Sequence, residues 1–91
     1  MNRDQLETAL VEQFEASPAT ARVVGRQASD LADAGLVAED LGFELTADAV
    51  LDELRDAPED HDAVERWNWW LGSLELSHGG YERFTVRPDD P

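Results

Sequence analysis

The densest chemistry in this chain lies between Asp56 and Glu65. Asp56, Glu59, Asp60, His61, Asp62 and Glu65 crowd into one short stretch. His61 and Glu65 stand four apart, a spacing that brings both side chains to one helical face. Hard cations take several oxygen ligands, so the cluster has the right atoms for a divalent ion. The same residues have a plainer use, because acids at a helix start offset the positive end of its dipole. The plainer use is adopted, with no metal site and no cofactor assigned.

Catalysis finds little to work with. The chain holds two histidines, four serines and no cysteine. Ser17 precedes Pro18 and reads as a helix cap, Ser29 falls within a helix, and Ser73, Ser77 and His78 border a glycine pair. No Ser-His-acid motif is present, and Gly79-Gly80 lacks the strand-loop-helix setting of a phosphate cradle. No catalytic residue is assigned and the chain is read as not an enzyme. A small enzyme or metal-binding protein centred on His61 and His78 stands as the third reading.

The tryptophans carry more. Trp67, Trp69 and Trp70 fall within four residues of a chain that has only seven aromatic side chains. Helical phase puts Trp67 and Trp70 on one face and Trp69 opposite. At least one indole must therefore meet solvent, a cover from the same chain, or a partner. Tryptophan is enriched at the energetic centres of interfaces, because it buries much apolar area with few rotamers lost.

Apolar residues at helical spacing dominate the elements that position these groups. A first helix spans Arg3 to Ala16, with Leu6, Leu10, Val11 and Phe14 as its stripe. Ser17-Pro18 restarts the chain into a second helix to Ala34, which Gly35 stops in the left-handed conformation. Residues 36–45 admit a helical turn followed by a short strand. Thr46 caps a third helix that Pro58 ends. The fourth starts near Glu59 or Asp60, and Val64, Trp67, Trp70, Leu71 and Leu74 form its inner arc. After Gly72 the preferred reading is a β-hairpin, Leu74–Leu76 paired with Tyr81–Val86 across Ser77-His78-Gly79-Gly80, since Leu76 gains a buried place there. The alternative is a longer helix that Gly79 terminates, with the last strand paired to Phe43-Glu44-Leu45.

The expected fold is thus α+β and mostly helical, with about four helices and a short C-terminal hairpin; an all-α four-helix bundle is the alternative. One domain covers residues 1–87, with a frayed tail over 88–91. From Pro18 to Val86 the order of elements resembles that of a winged helix, a scaffold that binds DNA or protein. That resemblance implies a regulator reading DNA through Arg66, Asn68 and a wing around Arg83. The helix it would insert in the groove begins Glu59-Asp60-His61-Asp62, which presents carboxylates to phosphates. Nucleic acid is therefore not the expected partner.

Charge bounds the setting. There are 21 acidic against seven basic side chains, a formal net charge of −14, and every base is arginine. Lysine and isoleucine are missing, as in GC-rich coding, but codon usage does not itself demand so many acids. Salt adaptation does, since carboxylates hold water and keep a surface soluble in brine. The composition resembles that of proteins from halophilic archaea. With no leader-like or membrane-spanning stretch, the expected address is the cytoplasm, away from membranes. The leading expectation is a non-enzymatic interaction domain that presents Trp69, Leu76 and Tyr81 to a protein partner or to a second copy.

Overall fold

The computed structural model describes residues 1–87; the expected frayed tail, 88–91, lies outside them. Five α-helices follow one another: α1 (Arg3–Phe14), α2 (Pro18–Ala34), α3 (Leu36–Leu41), α4 (Ala47–Arg55) and α5 (Ala63–Ser77). A short 3₁₀ turn, Glu82–Phe84, comes last.

Local chemistry sets most of the boundaries. The Asn2, Ser17, Thr46 and Asp62 side chains each accept a backbone N–H of the first turn that follows them, in α1, α2, α4 and α5 respectively. At Asp62 the cap is reciprocal: Glu65 N–H donates to the Asp62 carboxylate at 2.8 Å, and Asp62 N–H donates to Glu65 at 3.0 Å. Two otherwise unpaired donors are satisfied at once. Gly35 closes α2 at φ 73° and leads directly into α3, a conformation that costs a side-chain-bearing residue strain. Residues 36–45 contain helix α3 and no strand.

The four longer helices form a closed ring around one core, α1 against α2, α2 against α5, α5 against α4, and α4 against α1. Leu6, Leu10, Val24, Leu31, Val50, Leu54, Trp67 and Leu71 fill it. Helices α1 and α2 approach closely at Gly25, where an added Cβ would stand 2.7 Å from Glu7 Cγ. No described charged side chain is buried, so the interior holds together by apolar packing. The Cα radius of gyration is 12.0 Å.

The hairpin is overturned. Helix α5 runs on through Leu76 to Ser77, and no strand occurs among the described residues. His78 N–H and Gly79 N–H donate to the Leu74 and Glu75 carbonyls, continuing the helical pattern to its end. The Glu75 carboxylate then accepts Gly80 N–H at 2.8 Å and Glu82 N–H at 3.2 Å, which holds the reversal of the chain. Without a hairpin there is no wing, and the winged-helix order fails with it. The fold is all-helical, in keeping with the bundle alternative.

Candidate interaction surface around Trp69

Helix α5 divides the tryptophans by phase. Trp67 and Trp70 are buried, their rings edge to face with centroids 5.7 Å apart at 71°. Trp67 Nε1–H donates to the Phe84 carbonyl at 2.9 Å, so the one polar atom of that buried indole is satisfied. Trp69 points away from the core and is 39% exposed. Leu76 follows seven residues later, two helical turns on, and so lies on the same face. It is 92% exposed.

Tyr81 does not join them. Its side chain is fully buried, and its hydroxyl donates to Asp40 Oδ2 at 2.8 Å. Burial, then the hydrogen bond to Asp40, then the charges of Asp40 and Glu39 push the phenol up to about 12. An apolar ring was expected at the surface, but the chain reversal after α5 turns it inward onto α3.

Arg66 and Asn68, the helix residues of the DNA-reading alternative, are occupied inside the molecule. Arg66 donates to the carbonyls of His61, Leu54 and Glu59, at 2.8, 2.9 and 3.2 Å, and its guanidinium lies 4.9 Å from the Phe14 ring centroid. It thereby fastens the α4–α5 connection and the C-terminal end of α4. Asn68 donates from Nδ2 to the Val86 carbonyl at 2.6 Å and accepts Val86 N–H on Oδ1 at 2.8 Å. Arg83 is exposed on the 3₁₀ turn, its guanidinium 4.8 Å from the Phe84 ring centroid.

The acidic stretch does not converge on an ion: no group of three potential ligands gathers among the described residues. Asp62 and Glu65 hold their helix cap, and His61 Nδ1 is buried without a hydrogen-bond partner among those residues.

Trp69 borders an open groove of about 390 Å³ where α4, α5 and the loop after α3 meet. Phe43, Leu41 and Leu74 supply apolar walls, with Glu53, Ser73 and His78 among the polar ones. Phe43 is itself 40% exposed. Glu53 is half-buried, and among the described residues its carboxylate accepts no hydrogen bond and meets no cation. Desolvation, with the charges of Asp56 and Asp52, raises its pKa. Sequence reasoning missed both residues. Phe43 falls in a glycine-flanked stretch with no clear period, and Glu53 looks like any outward acid of a helix.

An all-helical domain with two core indoles and one surface indole on a single helix is thus the class of protein that fold and surface define. Residues 1–75 match the model of the WNWW domain, and the chain belongs to that family. Trp67-Asn68-Trp69-Trp70 spells the string in that description, and the family match ends before the segment that Trp67 and Asn68 hold. No curated protein and no solved structure matches the chain. No helix among the described residues is long and apolar enough to cross a membrane.

Proposed function

We propose that this domain is a non-enzymatic protein-interaction module whose contact face is Trp69 with Leu76 on α5, extended by Phe43 across the groove. One observation carries the reading: Trp69 is 39% exposed beside an apolar-walled groove, while its neighbours Trp67 and Trp70 complete the core. A folding role accounts for two of the indoles and leaves the third to a partner. Exposed aromatic side chains next to a groove are the usual anchors of protein contacts. The acidic, cysteine-free composition suits a reducing, salt-rich cytoplasm.

The test compares Trp69→Asp with the unchanged chain as bait in an extract of the source cells, at molar KCl. The two proteins are first matched by circular dichroism and urea midpoint. Proteins retained by the unchanged chain and released by the variant support the reading, as does a concentration-dependent dimer that the variant abolishes in sedimentation. Identical capture and identical oligomeric state for both would remove it.

A further inference from the structure

The occupant of the Trp69 groove can be narrowed by its charge and its walls. Three aromatic side chains, Trp69, Phe43 and the largely buried Trp70, line one groove with Glu53, a half-buried acid that has no internal partner among the described residues. A carboxylate held partly out of water without a counter-charge is costly, and a cation relieves it. Asp52 and Asp56 add to the same negative field. Their neighbour Arg55 is turned to Asp52 at 2.7 Å and to Gln13. His78, Ser73 and Ser77 are the other polar residues lining the groove.

An aromatic face beside a carboxylate favours arginine over other side chains: its guanidinium stacks on rings while donating to an acid. This chain stacks guanidinium on aromatic rings twice within itself, Arg66 on Phe14 and Arg83 on Phe84. The groove is at the small end of ligand sites, with room for one or two side chains rather than a folded element.

We infer that the groove between α4 and α5 receives an arginine-bearing segment of a protein partner, the guanidinium lying on Trp69 and pairing with Glu53 while an adjacent apolar side chain meets Phe43 and Leu74. This specifies the partner of the Trp69 face and rests on the interaction reading above.

The experiment is a ¹H–¹⁵N titration of the full chain with N-acetyl-leucyl-arginyl-leucinamide, followed at the Trp69 indole N–H. The citrulline analogue is run in parallel, since it keeps shape and removes charge. The expected result is a saturable shift of the Trp69 signal at millimolar peptide, with about five-fold weaker binding of the citrulline peptide. Glu53→Gln, a near-isosteric change on a partly solvated side chain, should weaken the arginine peptide to the citrulline level. Equal binding of the two peptides, or no effect of Glu53→Gln, overturns the arginine assignment and leaves the Trp69 face intact as an interaction surface. No shift at Trp69 with either peptide also overturns the assignment. The bait comparison decides the broader reading independently.

Discussion

Asn68 grips the main chain of Val86 from both sides, donating to its carbonyl at 2.6 Å and accepting its N–H at 2.8 Å. One carboxamide thus satisfies the donor and acceptor that a neighbouring strand would otherwise satisfy. Trp67 satisfies the Phe84 carbonyl two residues earlier. Phe84 and Val86 are buried beneath this clamp. Because the contacts are to backbone, they hold the segment's path whatever its side chains, and Tyr81, Phe84 and Val86 then add the apolar packing.

Breaking the clamp should be costly and informative. Asn68→Ala leaves both main-chain groups of Val86 without their partner, and is expected to lower stability by about 2 kcal/mol in urea denaturation. Asn68→Asp keeps the acceptor but sets a carboxylate against the Val86 carbonyl. Protonation turns that acid into a donor. The unfavourable setting raises the folded carboxyl above its unfolded value, so the gap between Asn68→Asp and the unchanged chain should narrow as pH falls toward about 4. A gap that stays constant with pH would show that the amide's donor has no part in holding Val86.

Arg66 should behave as a structural side chain. It reaches three carbonyls with one planar group, a geometry that an ammonium cannot reproduce. Arg66→Ala is expected to cost about 2–3 kcal/mol, with Arg66→Lys recovering less than half of it. The measurement is the urea midpoint of each variant. Full recovery by lysine would mean that charge alone, rather than the forked geometry, supports the α4–α5 connection.

Alkaline pH should weaken the fold through Tyr81. Its phenol ionises near 10.0 in an unperturbed setting and is pushed up to about 12 here. Between those values the unfolded chain has released the proton and the folded chain retains it, so unfolding is favoured as pH rises. Stability is intact below pH 10 and falls between about 10 and 12. Ultraviolet titration of the tyrosinate should show the late midpoint, and Asp40→Asn should bring it down. A midpoint near 10 in the folded protein would contradict the buried, hydrogen-bonded ring.

Salt should matter more than for an ordinary domain of this size. Among the described residues only two ion pairs form, Arg3–Glu7 and Arg55–Asp52. No described carboxylate is buried, so the acids repel one another across the surface. The screening length is about 3 Å in 1 M salt and about 30 Å in 0.01 M. Lowering KCl from molar to millimolar should reduce the urea midpoint and loosen the fold by circular dichroism. An unchanged midpoint would remove salt adaptation as the reason for the composition.

How much of this was written in the chain differs from place to place. The start of α2 and the glycine that ends it follow from Ser17, Pro18 and Gly35, since capping is settled within a few residues. The opposition of Trp69 to Trp67 and Trp70 follows from 100° per residue and needs no neighbour. The groove was not legible. Leu41, Phe43, Glu53 and Trp69 come from α3, the loop after it, α4 and α5, and nothing local says that these parts meet.

The residues after Gly72 show where local reasoning stops. Alternating apolar residues on both sides of a glycine pair satisfy a hairpin pattern, and burying Leu76 made that pattern attractive. The molecule leaves Leu76 almost wholly in water and continues the helix, because the backbone of residues 84–86 finds its hydrogen bonds in the Trp67 and Asn68 side chains instead of in a strand. The sequence alone determined the bodies of α1, α2 and α4, the caps at Ser17, Thr46 and Gly35, and the phase of the three indoles, all of which depend on near neighbours. Tertiary packing decided the path of the last segment, the burial of Tyr81 and the makeup of the groove, because each depends on groups brought together from distant parts of the chain.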